Sequence, residues 1–248
     1  MKKFLVIGNP IEHSLSPKIH NYWMKLHNIK AIYEKARLVK DELKEIINEV
    51  KSGKVDGLNI TLPFKKAIIP LLDELTPLAN ETRSVNTVFR KDGKVFGENT
   101  DANGFKKALQ YTNFKIKNKS ALILGAGGVV TSIIYALKKL GVSKIFVSNR
   151  TKKYAEEIKK VYSNIEVVDW GITQDTDIII NATSLGLKKT DDIDLDLKSL
   201  GKNKLFYDLI YNPSKTNFLQ KAEKSGNQIE NGKMMFVYQA QEAFRLFT

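Results

Sequence analysis

A short apolar run, Ala121-Leu122-Ile123-Leu124, leads straight into Gly125-Ala126-Gly127-Gly128, and a helix-like stretch follows over 129–140. Strand, tight turn and helix in that order form the setting in which a glycine-rich segment holds a dinucleotide. Without side chains the backbone can approach a pyrophosphate closely. The helix N-terminus adds N–H donors and a partial positive charge. The next strand pattern, about twenty residues on, ends in Asn149-Arg150-Thr151. An NAD enzyme carries Asp or Glu there for the ribose 2′-hydroxyl, whereas arginine suits a 2′-phosphate, so the residues favour NADP. A glycine-rich turn inside an unrelated α/β sheet is the competing explanation.

The rest of the pattern extends that unit in both directions. Further strands read at 144–148, 166–169, 177–181 and 204–207, with helical patterns between most of them. Apolar strands such as Ile178-Ile179-Ile180 suit a parallel sheet covered on both faces. Ahead of this unit, strands at 3–8, 31–38 and 55–60 alternate with helices at 16–28 and 41–51. The second of these helices carries the stripe Leu43, Ile46, Ile47 and Val50. Pro63 reads as the start of a short helix, and Lys91-Asp92-Gly93 as the turn of a hairpin between 84–89 and 94–99. Helices at 102–111 and 233–247 complete the chain. The expected class is α/β with two domains: an α/β substrate domain over 1–101 and a doubly wound dinucleotide domain over 102–232. A C-terminal helix, 233–248, is expected to return to the first.

In the first half, chemistry-bearing residues gather at the ends of elements. Ser14 and Ser16 stand just before a helix, where they either cap it or offer hydroxyls to a small carboxylate. Asn59, Thr61 and Lys65 leave a strand end; Asn86 lies in Ser84-Val85-Asn86-Thr87, and Asp101 follows Asn99-Thr100. Singly, each suits a turn or a cap. Together they form a set able to surround a polyhydroxylated small molecule. Lys65 can stabilise an oxyanion and deliver a proton to it, and Asp101 can hold the ammonium in place by a charge-assisted hydrogen bond.

Composition removes several alternatives. The chain of 248 residues has a formal charge of +13, but its basic residues are isolated or paired over almost every segment. None is interleaved with aromatics as in a nucleic-acid module, so the excess reads as a lysine-rich surface that helps steer anionic ligands. No cysteine is present, which excludes disulfides, zinc–thiolate sites and cysteine nucleophiles, and three histidines leave little for a metal site. No apolar run approaches the roughly eighteen residues of a membrane span, and the apolar start ends at Gly8-Asn9-Pro10, too soon for a secretory signal. A cytoplasmic chain, monomeric or homodimeric, with small-molecule partners and neither nucleic acid nor membrane, is the expectation.

These motifs, in this order, resemble those of the shikimate dehydrogenase family. The matching segments are 8–21, with Ser14-Leu15-Ser16-Pro17 at its centre, and 57–65, ending in Leu62-Pro63-Phe64-Lys65. Ser84-Val85-Asn86-Thr87, Asn99-Thr100-Asp101, Gly125-Ala126-Gly127-Gly128, Asn149-Arg150-Thr151, Asn181-Ala182-Thr183-Ser184 and Asp208-Leu209-Ile210-Tyr211 follow, then the segment from Gly232 to Gln239. The resemblance implies NADP-linked reduction of 3-dehydroshikimate to shikimate, with no metal. It implies that Ser14, Ser16 and Tyr211 contact the substrate carboxylate. It sets Asn59, Thr61, Lys65, Asn86, Asp101 and Gln239 around the ring, with Lys65 and Asp101 catalytic. Gly125, Ala126, Gly127, Gly128, Val129, Asn149, Arg150, Thr151, Thr183, Leu209 and Gly232 would bind the cofactor.

Two positions depart from the family pattern. Val130 stands where a small residue is usual and Thr131 where a cation is frequent, Lys152 or Lys153 being the substitutes at hand in sequence. Two rivals share most of the motifs: a quinate/shikimate dehydrogenase with relaxed substrate choice and NAD use, and a non-catalytic NADP-binding regulatory protein. Retention of both Lys65 and Asp101 speaks against the second, since a binder has no need of an acid–base pair.

Overall fold

Strand β1 (Lys2–Gly8) buries side chains on both faces, Phe4 and Val6 on one, Leu5 and Ile7 on the other. Such a strand belongs inside a covered sheet. In the computed structural model, which describes residues 1–193, 195–196 and 200–248, it does. Helix α1 (Ser16–Leu26) leads to β2 (Ala31–Arg37), and α2 (Leu43–Ser52) to β3 (Gly57–Ile60); β2 and β3 flank β1 as parallel partners. The short β4 (Glu74–Leu75) and α3 (Pro77–Thr82) precede the antiparallel hairpin β5 (Thr87–Lys91) and β6 (Lys94–Glu98). Asp92 and Gly93, both at positive φ, make its two-residue turn, the geometry that matches strand twist. The sheet order is β2-β1-β3-β5-β6-β4. One face packs on the apolar stripe of α2 and the other on Met24 of α1 with Ala243 and Phe247 near the C-terminus.

The helix expected from Pro63 does not form. Residues 62–68 make turns, and only a 3₁₀ turn follows at Ile69–Leu71. Pro70 has no N–H to give the Lys66 carbonyl, which accepts from Ile69 at 3.3 Å instead, so an α-helix cannot propagate.

Helix α4 (Thr100–Tyr111) begins with Asn99 as its cap, the Asn99 side chain accepting from the Ala102 N–H at 3.1 Å. The second unit then runs β7 (Ser120–Leu124), α5 (Val130–Lys139), β8 (Lys144–Ser148), α6 (Lys152–Val161), β9 (Ile165–Val168), β10 (Ile178–Asn181), β11 (Leu205–Asp208), α7 (Asn217–Lys224) and β12 (Gln228–Asn231). All six strands are parallel, in the order β12-β11-β10-β7-β8-β9. That is the doubly wound dinucleotide-binding order, and its direction reverses between β7 and β10, where such sheets bind ligands. Residues 169–177 cross from β9 to β10 without a helix.

The last helix, α8 (Lys233–Phe247), belongs to both units by residue. One compact unit comprises 1–104 with 237–248 and the other 105–236. The divisions therefore fall inside α4 and α8, about a turn of helix beyond residues 101 and 232, because both helices run through those points unbroken.

Candidate active site

Three amides and three hydroxyls form a buried network in the first unit. Asn59, at the end of β3, donates from Nδ2 to the Asn86 carbonyl at 3.2 Å and to the Thr87 hydroxyl at 2.9 Å. Asn86 donates to Thr100 Oγ1 at 2.9 Å and lies 3.5 Å from Gln239 Oε1 on α8. Its own Oδ1 accepts the Thr100 backbone N–H at 2.7 Å and the Thr87 hydroxyl at 3.2 Å. Low local dielectric strengthens such a network and fixes the Asn59 and Asn86 amide orientations. Thr61 is half-buried, its N–H held by the Ile7 carbonyl at 2.9 Å.

Lys65 stands beside this network in the turn after β3, its carbonyl accepting the Val85 N–H at 2.9 Å. Its ammonium lies 2.5 Å from Asp101 Oδ2, and the two side chains are 11% and 9% exposed. Asp101 occupies the first turn of α4, where the positive end of the helix favours a carboxylate. A pair so deeply withdrawn from water is weak as a stabilising device, because desolvation offsets most of the attraction. Its geometry makes chemical sense instead, with one proton donor held rigidly beside a polar ring of amides and hydroxyls.

Ser14 precedes α1 and Ser16 is its first residue; the N-cap position, Leu15, gives no side-chain cap, and the Ser14 hydroxyl accepts the Ser16 N–H at 3.3 Å. Ser14 thus meets one N–H of the first turn, and the Ser16 hydroxyl caps nothing. Tyr33 and Thr87, absent from the sequence-predicted set, are part of the same network. The Tyr33 hydroxyl donates to Asn59 Oδ1 at 2.6 Å, and the Ser16 side chain lies close to it. Burial keeps that phenol protonated by raising its pKa well above the usual value. A buried tyrosine on a strand reads as core, and its place beside Phe4 of β1 emerges only from the strand register.

In the second unit, Gly125 follows β7 with φ +113°, where a Cβ would also meet the Ala182 carbonyl at 2.8 Å. The turn thus lies against the segment after β10, with the Thr183 side chain beside it and the Thr183 hydroxyl on Asn181 Oδ1 at 2.7 Å. Both sit at the switch point of the sheet. A Cβ at Gly127 would meet nothing within 4 Å, and α5 follows Val129, an N-cap residue that gives no side-chain cap, with no acidic residue in its first turn. An open turn and an uncapped helix N-terminus fit a pyrophosphate. Ala126, Gly128 and Val129 complete the turn, and Val130 is packed wholly inside the unit.

Asn149 orders the end of β8 by donating to the Thr151 carbonyl at 2.8 Å, and Arg150 is exposed beside it. This guanidinium fits a 2′-phosphate. Lys152, a substitute cation at hand, pairs with Asp169 at 2.7 Å on the surface. Leu209 and Gly232 are brought together so closely that a Cβ on Gly232 would lie 2.0 Å from the Leu209 carbonyl oxygen. Behind them the buried Asp208 carboxylate accepts from Thr216 at 2.6 Å, Asn181 at 3.0 Å and the Ile210 N–H at 3.0 Å. Tyr211 packs its ring on Phe236, 5.1 Å between centroids. It belongs to this second unit, whereas Ser14, Ser16 and the ring-lining set belong to the first. Among the described residues no group of three or more His, Asp or Glu could hold a metal ion, and no helix is long and apolar enough to cross a membrane.

Comparison with known proteins agrees with this division. Residues 6–88 match the shikimate dehydrogenase substrate binding domain and residues 106–195 the shikimate/quinate 5-dehydrogenase domain. The NADP(+)-dependent shikimate dehydrogenase of Pelagibacter ubique is 56% identical over 98% of this chain and 92% of its own length. The crystal structure of shikimate dehydrogenase from Aquifex aeolicus superposes with a TM-score of 0.93 at 38% identity, over 100% of this chain and 92% of that one. The Thermus thermophilus enzyme, crystallised with NADP(H) and shikimate, gives a TM-score of 0.91 at 33% identity, over 100% of this chain and 94% of that one. With sequence identity and backbone agreement both reaching nearly end to end, this chain belongs to the shikimate dehydrogenase family.

Proposed function

We propose that this protein is an NADP-dependent shikimate dehydrogenase that reversibly reduces 3-dehydroshikimate to shikimate, with Lys65 as the acid–base group. The observation that carries the assignment of roles is the 2.5 Å Lys65–Asp101 pair, nine-tenths buried beside a network of amides and hydroxyls. The bound nicotinamide supplies a hydride to the ketone carbon, and takes one up in reverse. As the carbonyl π pair moves to oxygen, the Lys65 ammonium stabilises the charge and transfers its proton, leaving a neutral amine and an alcohol. Asp101 fixes the ammonium and accepts from a substrate hydroxyl with its remaining lone pairs.

Around that centre Asn59, Thr61, Asn86 and Gln239 bind the ring hydroxyls, and Ser14, Ser16 and Tyr211 bind the carboxylate. Gly125, Ala126, Gly127, Gly128 and Val129 hold the pyrophosphate at the start of α5. Asn149, Arg150 and Thr151 hold the 2′-phosphate, while Thr183, Leu209 and Gly232 meet the nicotinamide end. We place the enzyme in the cytoplasm, as a monomer or homodimer with small-molecule partners alone. The test is a spectrophotometric assay of reduced cofactor with shikimate or quinate and NADP or NAD. Shikimate with NADP should be turned over fastest. Comparable turnover of quinate with NAD would assign the broader quinate/shikimate type, and no turnover of any pair would leave a binding protein.

A further inference from the structure

The strand β2 lies at the sheet edge, yet its Tyr33 is held more tightly than an edge residue needs to be. The Asn21 side chain clamps its backbone twice, accepting the Tyr33 N–H at 2.9 Å and donating to its carbonyl at 2.8 Å. The ring stacks on His20 with centroids 4.3 Å apart and planes 3° from parallel, and only 1% of the residue is exposed. From that fixed ring one polar atom emerges, and it reaches Asn59 Oδ1 at 2.6 Å.

The direction of that bond follows from its neighbours. The Asn86 carbonyl can only accept, so the Asn59 nitrogen must face it and Oδ1 must face Tyr33. Both Asn59 N–H groups are thereby engaged, on the Asn86 carbonyl and the Thr87 hydroxyl. What Asn59 can still offer is one lone pair on Oδ1, which recognises a hydroxyl donor and no acceptor. The same phenol borders Ser16, so a single side chain touches both a carboxylate-binding and a hydroxyl-binding residue of the reading above, on which this inference rests.

We propose that Tyr33 is a positioning residue for substrate: it locks Asn59 as a hydrogen-bond acceptor and sets its distance from Ser16. Tyr33 touches no reacting atom, so its effect belongs in the binding of shikimate rather than in the chemical step. Tyr33→Phe should raise the Michaelis constant for shikimate about tenfold, the worth of one or two hydrogen bonds, with turnover within a few-fold and the NADP constant unchanged. In an Asn59→Ala background the same change should lose most of its effect, because the main group through which Tyr33 acts is gone and only its contact with Ser16 remains.

Asn21→Ala, which loosens the Tyr33 backbone and leaves its hydroxyl, is the second variant. It should raise the shikimate constant a few-fold and lose most of that effect in the Asn59→Ala background as well. Thermal unfolding of each variant checks that it folds. Equal effects of Tyr33→Phe with and without Asn59, or an unaltered shikimate constant, would overturn the inference alone. A wild-type protein inert toward shikimate would overturn the functional reading and this inference with it.

Discussion

His20 gives a prediction whose size can be worked from its surroundings. It is 1% exposed, parallel to Tyr33 and edge-on to Trp23 at 5.8 Å, and neither ring nitrogen has a hydrogen-bond partner among the described residues. Burial pushes its pKa from 6.5 down to about 3. The unfolded chain therefore takes up a proton below about pH 6.5 while the folded protein does not, and stability falls with pH until about pH 3, where it levels off. At pH 5.0 the loss is about 2 kcal/mol, from RT ln(1 + 10^1.5), and at pH 7.5 it is negligible. At about 2–4 °C per kcal/mol for a chain of this size, His20 alone should lower the melting temperature by about 4–8 °C. His20→Phe keeps the stacked ring and removes the titration. Thermal unfolding of both proteins at pH 7.5 and 5.0 isolates the effect, since groups common to both cancel in the double difference. An acid-induced drop as large in His20→Phe as in the wild type would refute the reasoning.

Two further predictions concern the ligand-binding ends. Arg150→Ala should raise the Michaelis constant for NADP about 10- to 100-fold, the range of a charged hydrogen bond, and leave that for NAD nearly unchanged; equal effects on both would remove Arg150 from the specificity role. Replacing Ser14 and Ser16 together with Ala should weaken shikimate binding at least about tenfold without altering NADP binding, as titration calorimetry would show. A double variant whose main defect is melting temperature, with normal shikimate binding, would assign the serines to the helix start instead and contradict that assignment.

Much of this was legible in the residues because local physics dictates it. An apolar strand, a glycine turn and an amphipathic helix can be arranged in few ways, and Asp92-Gly93 forces a two-residue hairpin. Lys65, Asp101, Asn59 and Asn86 stood out as a set: singly each suits a turn or a cap, but so many at the ends of successive elements can surround one small polar molecule. Tyr33, Thr87 and Thr100 did not, since a polar group completing a buried network looks like core from its own neighbourhood. The helix expected at Pro63 failed through Pro70, seven positions away, and β12 was missed because Gln228-Ile229-Glu230-Asn231 is a polar edge strand with no alternation to read. The Lys152–Asp169 pair joins the start of α6 to the end of β9, a meeting that only the parallel register creates.

The most direct test of the central claim is the turnover of Lys65→Ala. General acid–base catalysis is worth about 10²–10⁴-fold, so turnover of shikimate with NADP should fall by at least that order, while the Michaelis constants change far less. Asp101→Ala should impair both, through lost positioning of the ammonium and a lost substrate contact. Removing one partner of a buried pair can cost about 3–5 kcal/mol of stability, so the assay is run well below each variant's melting temperature, with NADP binding confirmed. A Lys65→Ala protein that folds, binds NADP and turns over within a few-fold of wild type would contradict the account.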